Sequence, residues 1–297
     1  MSVSATDVKN LREMTGAGMM DCKKALAECN GDIESAVDYL RKKGLAAAQK
    51  KQSRVAAEGA VITMVDGAKG VVVEVNCETD FVSKGEDFQN FAKSIAQYVL
   101  TKEPKTIDDL KNAKSEAANE LTLKCGEKID LRRFEIVKSE GAVGAYNHGG
   151  KIGVLIDVNT KGDAKHADFQ ELLKDLGMHV AAAAPAFLAG TDIDEGFKKR
   201  EADIYAAQLK EEGKPADMIE KIVQGKLKKL ASEVCLLEQK FVKNPDVTVS
   251  QLLAETAKKI GGEIVIKGFK KLNLGEGIEK KEDNLAEEVA KMTSGQH

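Results

Sequence analysis

The chain of 297 residues has no tryptophan, nine phenylalanines and four tyrosines. Aromatics make up only 4%, so the core has to be aliphatic. No apolar run approaches the roughly 20 residues that a membrane span needs. The first seven residues, Met1-Ser-Val-Ser-Ala-Thr-Asp7, carry no basic region and no apolar stretch, so they read as no secretory signal. The five cysteines, Cys22, Cys29, Cys77, Cys125 and Cys235, are odd in number and scattered, without a C-x-x-C. That usage predicts a reduced, cytoplasmic setting. A basic excess is missing too: the net charge is -3. This argues against a protein that grips a phosphate backbone and leaves a protein partner or a small molecule.

Catalytic patterns are equally scarce. The histidines are His148, His166, His179 and His297; none stands at i, i+4 to another, and none pairs with cysteines at zinc spacing. There is no G-x-S-x-G, no P-loop and no G-x-G-x-x-G. The carboxylates fall in helical charge runs, which read as solvated surface. No metal, cofactor or catalytic residue is expected. His148, within Tyr146-Asn147-His148-Gly149-Gly150, reads as an exposed loop residue, and His179 as a half-buried core residue.

What is present is a succession of short amphipathic elements. Ser4-Ala5-Thr6-Asp7 has the form of a capping box, and Val8, Leu11 and Met14 follow at helical spacing. Thr15-Gly16-Ala17-Gly18 breaks that helix, and a second begins near Met19. Asp32 caps a third, with Ile33, Val37 and Leu40 on one face, which Gly44 can end. Three helices within about 44 residues make a marginal core that needs support from elsewhere. Ala46 to Arg54 reads as a solvated helix or a linker.

From Glu58 the pattern changes to strand, turn, strand. The runs Ala60–Val65 and Gly70–Val75 flank Asp66-Gly67, a hairpin signal. Phe88, Phe91, Ile95 and Val99 then mark one helix face, 107–124 a second helix and 129–137 a strand. The pattern returns further on. Glu58-Gly59-Ala60-Val61 recurs as Glu140-Gly141-Ala142-Val143. Gly70-Val71-Val72-Val73-Glu74-Val75-Asn76 recurs as Gly153-Val154-Leu155-Ile156-Asp157-Val158-Asn159. Asp87-Phe88-Gln89 recurs as Asp168-Phe169-Gln170. An internal duplication of a hairpin-plus-helix unit is the reading, with two related halves forming one core.

The copies part at the turn after the second strand. The first reads Cys77-Glu-Thr-Asp-Phe81-Val82-Ser, the second Thr160-Lys-Gly-Asp-Ala-Lys165. Phe81 has no apolar counterpart, so the repeated core does not require it. Burying such a ring is worth roughly 1.5–3 kcal/mol, inside this chain or inside a partner.

Beyond Pro185 a charge-rich stretch broken at Gly213-Lys214-Pro215 reads as an inserted antiparallel helical hairpin with a thin apolar stripe. Globular patterning resumes with Val247, Val249, Leu252 and Leu253 on a helix and 263–267 as a strand. Gly275-Glu276-Gly277 opens a separate tail, in which Leu285, Val289 and Met292 form a narrow helical stripe. The fold class is therefore α+β. Residues 1–54 form a three-helix module. Residues 55–139 form the first core half, and 140–274 the second, with the hairpin inserted at 187–233. Residues 275–297 form a C-terminal helical module.

Leu11-Arg-Glu-Met-Thr-Gly-Ala-Gly-Met-Met-Asp-Cys-Lys-Lys-Ala-Leu26 closely resembles the N-terminal signature of the elongation factor Ts family. Glu74 to Val82 resembles its second signature. Met178-His-Val-Ala-Ala182 and Gly275-Glu-Gly-Ile-Glu-Lys280 match as well, so the likeness runs nearly end to end. The resemblance, to the long bacterial form, implies a guanine-nucleotide exchange factor for the GTPase elongation factor Tu. It implies a ubiquitin-associated-like fold for the N-terminal module. It makes Arg12, Met19 and Met20 contact residues, and gives Gly126 and His148 contacts of their own. Thr79, Asp80, Phe81 and Val82 become the stretch that disturbs the GTPase's magnesium site, with Phe81 as the wedge and Asp80 fixing the loop. No nucleic acid or membrane partner is implied, and the hairpin is a candidate for self-association. Two other classes compete: an adaptor that leaves nucleotide untouched, and an enzyme using His148 or Cys77.

Overall fold

The computed structural model describes residues 3–279. Its centre is a pair of three-stranded antiparallel sheets. The first contains β1 (Glu58–Asp66), β2 (Lys69–Cys77) and β3 (Asp130–Lys138) in the order β1-β2-β3. The second contains β4 (Ala142–His148), β5 (Ile152–Thr160) and β8 (Ile264–Asn273) in the order β4-β5-β8. The duplication is visible in the register: Ala60 pairs with Val75 in the first hairpin, and Ala142 with Val158 in the second.

Alternation of side chains across each strand decides the layering. On β2, Val71, Val73 and Val75 turn outward and pack against Phe88, Ile95 and Val99 of helix α5 (Glu86–Lys102). On β5, Val154, Ile156 and Val158 do the same against Phe169, Leu176 and Val180 of α7 (Ala167–Ala183). The opposite faces meet each other, joining Val61, Val72, Val143, Leu155 and Leu272. The middle strands are buried on both faces, which is why they are nearly continuous valine and isoleucine.

The sheets close through a reciprocal contact. A Cβ added at Gly70 would lie 2.6 Å from Val143 Cγ1 and 3.1 Å from Leu155. A Cβ at Gly153 would lie 2.5 Å from Val61 Cγ1 and 2.7 Å from Val72. Gly70 and Gly153 are equivalent positions of the two copies, as are Val61 and Val143, and Val72 and Leu155. Each half thus seats its branched side chains on the glycine of the other.

The N-terminal module contains α1 (Ala5–Thr15), α2 (Met19–Glu28) and α3 (Ile33–Lys51). Ser4 and Asp7 form the capping box, with the Asp7 amide donating to Ser4 Oγ at 3.1 Å. Gly16 ends α1 in the left-handed region, with φ 66°. Contrary to the sequence expectation, α3 does not stop at Gly44 but runs on through the Ala/Lys/Gln stretch. Gly44 serves packing instead: a Cβ there would sit 3.2 Å from the Asn119 carbonyl oxygen of α6 (Ile107–Cys125). Leu123 of α6 also packs against the module's core of Val8, Leu11, Cys22, Leu26 and Leu40. That supplies the support which so small a core lacks.

Helices α8 (Glu195–Glu211) and α9 (Ala216–Val234) form the inserted hairpin. They bury Leu209, Ile219 and Val223 between them. At their base, Phe187 bridges Cys235 and meets Phe197 edge-on at 5.0 Å between ring centroids. A two-stranded ribbon, β6 (Lys240–Phe241) with β7 (Asn244–Thr248), precedes α10 (Val249–Ile260). Val247 therefore belongs to a strand and not to the helix, which Thr248 caps. Strand β8 is longer than its apolar run suggests because it pairs with β5 from Thr160↔Ile264 to Ile152↔Asn273.

The segment after β8 does not open a separate tail at Gly275. Its Gly275 amide donates to Glu74 Oε1 at 2.7 Å, although Glu74 lies in the other sheet. Arg133 Nε donates to Glu74 Oε2 at 2.5 Å and Arg132 Nη1 to Oε1 at 2.8 Å. Arg133 also reaches the Glu276 carboxylate at 3.2 Å, and Arg132 bonds the Glu276 carbonyl. The apolar stripe Leu285, Val289 and Met292 lies outside the described residues. Burial pushes the Glu74 carboxyl up. The Gly275 amide, Arg133, Arg132 and Asn76 outweigh it and hold the group below its ordinary value of 4.5.

Two measurements follow from this core. Gly153→Ala is expected to destabilise the fold by about 1–3 kcal/mol through overpacking, read as a lower urea midpoint with unchanged slope. A carboxyl with a depressed folded value contributes stability that is complete above its unfolded value and lost as pH falls through the folded one. Stability should therefore drop below about pH 4, and Glu74→Gln should flatten that dependence in urea titrations repeated across pH.

Candidate partner-binding surface

Strand β2 ends at Cys77, whose thiol donates to the Thr79 carbonyl at 3.2 Å. Burial, then the nearby Glu127 charge, push that thiol up to about 12. The thiol is buried as well, unlike the exposed thiolates that react as nucleophiles. Thr79 then caps a single helical turn, α4 (Asp80–Lys84), its hydroxyl accepting from the Val82 amide at 3.3 Å. Four side chains of the turn divide cleanly. Ser83 is buried, Val82 leans on the first-half core, Asp80 is exposed, and Phe81 is 86% exposed.

Asp80 does not fix this turn to the body. Its carboxylate pairs with Lys84 at 2.7 Å inside α4, both groups being exposed. The fastening comes from Glu127, which sequence reading passed over. Its Oε2 accepts from the Glu78 amide at 3.1 Å and the Thr79 amide at 3.0 Å. Its Oε1 accepts from the Thr79 hydroxyl at 2.7 Å. A glutamate just past a helix-ending glycine carries no local signal of such a role. Only the fold brings it to the end of β2.

Phe81 and Val82 border an open groove of about 460 Å³ with Arg12, Gly18, Phe88 and Leu121. A second groove of about 640 Å³ is bordered by Val8, Arg12, Met19, Met20 and Lys23. Arg12 belongs to both, so they form one continuous face. Met14, Met19 and Met20 are exposed large apolar side chains, unbranched and adaptable, as surfaces that receive another protein often are.

Gly126 flanks this face. It closes α6 in the left-handed region at φ 76°, and its carbonyl accepts from the Lys51 ammonium. His148 does not line either groove. It is exposed at the end of β4, with Tyr146 Oη 3.0 Å from its Nδ1. Its turn is tied to the first sheet: Asn147 donates to the Val61 carbonyl at 2.7 Å, and the Val61 amide to the Gly150 carbonyl at 2.8 Å. His179 is fully buried, not half-buried. It accepts from the Val242 amide at Nδ1 (3.3 Å) and meets Gln239 Oε1 at 3.0 Å through Nε2; burial pushes its pKa down. It is a neutral core residue. Among the described residues no three His, Cys, Asp or Glu side chains are grouped to hold a metal ion, and no helix is long and apolar enough to cross a membrane.

A three-helix module and a duplicated α+β core together present exposed aromatic and methionine side chains beside two grooves, the kind of surface that can receive another protein. Comparison with known sequences gives the family. The model described as "Elongation factor TS" matches residues 78–276, and that described as "UBA/TS-N domain" matches residues 3–40. The chain is similar to elongation factor Ts of Clostridium perfringens strain SM101, 48% identical over 301 residues covering 98% of this chain and 99% of the relative. It is similar to that of Trichlorobacter lovleyi, at 47% over 305 residues and 98% of each. It is similar to that of Hydrogenovibrio crunogenus, at 46% over 299 residues, 98% and 97%. The chain belongs to the elongation factor Ts family and is a translation elongation factor.

Because Phe81 has surrendered almost none of its surface to its own chain, Phe81→Ala is expected to shift stability by no more than about 0.5 kcal/mol in a urea titration.

Proposed function

We propose that the protein is a guanine-nucleotide exchange factor that binds elongation factor Tu in its GDP form and speeds GDP release during translation elongation in the cytoplasm. The observation that carries this reading is the exposure of Phe81 on a fastened helical turn beside the grooves of Arg12, Met19 and Met20. A ring held in water by a rigid mount has its burial energy in reserve for a partner.

The physics sets what such a surface has to achieve. A GTPase that holds GDP with nanomolar affinity does so with about 12 kcal/mol. Each tenfold acceleration of release takes about 1.4 kcal/mol off the barrier. The factor supplies this as negative coupling: it binds the nucleotide-free GTPase better than the loaded one, and nucleotide weakens it in return. The GTPase's magnesium ion is the vulnerable point, since Mg²⁺ demands near-ideal octahedral geometry. Phe81 enters beside that ion, carried by Thr79, Asp80 and Val82. Arg12, Met19, Met20 and Gly126 hold the GTPase domain, and His148, on its separate turn, meets another part of the same partner. The factor needs no base or nucleophile of its own.

Stopped-flow release of a fluorescent GDP from Tu tests this. The wild-type chain should accelerate release by orders of magnitude. Phe81→Ala should lose most of the acceleration, about tenfold or more, while a pull-down still recovers the complex. Unchanged release by the variant would return Phe81 to the role of an incidental surface residue. The helical hairpin is a further candidate interface between copies of the chain, which molar mass at rising concentration, measured by light scattering with and without 191–233, would show.

A further inference from the structure

The turn Gly126–Lys128 is bonded on two sides at once. On one side Glu127 takes the Glu78 and Thr79 amides and the Thr79 hydroxyl, at 3.1, 3.0 and 2.7 Å. The Lys128 amide adds a bond to Glu78 Oε1 at 2.7 Å. On the other side the Lys128 ammonium donates to the carbonyls of Gln52 and Arg54 at 2.8 and 3.0 Å, just past the end of α3. Arg54 closes the ring by reaching Glu78 at 3.3 Å. The end of the N-terminal module, the turn after α6 and the base of the Phe81 helix therefore meet in one polar knot.

We infer that Glu127 is a positioning residue for exchange: its carboxylate sets the Phe81 turn at a fixed place relative to the module that carries Arg12, Met19 and Met20. The inference rests on the exchange reading above. The partner meets Phe81 and the module together, so their relative placement is ordered before the encounter and not at its expense. Glu127 also borders the groove of Phe81 and Arg12, so a double-mutant cycle with Phe81 is what separates positioning from direct contact with the partner. Asp80, whose carboxylate is spent on Lys84 within α4, cannot serve this purpose. Nothing else among the described contacts binds both amides.

The test is a double-mutant cycle on the full chain. Glu127→Ala is expected to lower the acceleration of GDP release about tenfold, with the complex still captured. Glu127→Gln, which keeps an oxygen for the two amides, should stay within about threefold of wild type. In a Phe81→Ala background, Glu127→Ala should add nothing, because the residue it positions is gone. In the free protein, the Thr79 amide should exchange with deuterium faster once Glu127 is Ala. Should that variant fail to fold, Glu127→Asp, whose carboxylate is one methylene shorter and cannot reach both amides and the Thr79 hydroxyl as before, carries the same cycle with a smaller effect. Wild-type release by Glu127→Ala, or losses that add to those of Phe81→Ala, would overturn the inference. If the wild-type chain itself leaves GDP release unchanged, the exchange reading fails instead, and unaltered Thr79 protection in the variant would separately overturn the fastening.

Discussion

Two glycines, Gly70 and Gly153, hold the two sheets at the distance on which everything else is built. Each leaves room for the branched side chains of the opposite half, and neither could carry a methyl without meeting a valine at under 3 Å. Close-packed interiors transmit such a restriction over long distances. The outer helices α5 and α7 are set by the sheets they cover, and the ends of β2 and β4 are set by the strands themselves. The N-terminal module joins the same framework by a further close approach, Gly44 against α6. The candidate face thus straddles two units whose spacing is fixed by small residues rather than by large ones.

Much of this architecture can be read from the residues. The duplication stands out because strand and helix patterns recur in the same order, and the unmatched Phe81 stands out against it. Capping signals at Ser4 and Asp32 locate helix starts because they act over three residues. What escapes is whatever depends on distant partners. Gly44 resembles a stop signal until Asn119 lies against it. Val247 reads as helical until the β6–β7 ribbon claims it. Gly275 looks like the beginning of a tail until Glu74 takes its amide.

The candidate face shows the same division. Arg12, Met19, Met20 and the Phe81 stretch lie in two contiguous signatures, and the fold brings them to one pair of grooves. His148 stays apart from them on a turn pinned to β1. Glu127 and Lys128, which fasten the mount, are ordinary surface charges in sequence, and Asp80 is a plausible anchor only until Lys84 is seen beside it. Residues offered outward were therefore legible, and residues that hold them in place were not. The first kind is marked by local surprise, an apolar side chain with no core to enter. The second kind is marked only by geometry.

Glu74 has a consequence for how the chain is made. It is the fully buried acid of the first sheet, yet one of its hydrogen bonds comes from an amide 201 residues further along. On the ribosome, where domains fold as they emerge, the first half completes its hairpin long before that amide exists. Until then the carboxylate has only Arg132, Arg133 and Asn76 to bond it. One contact that completes the first sheet's buried acid thus comes from a segment synthesised well after that sheet's own strands.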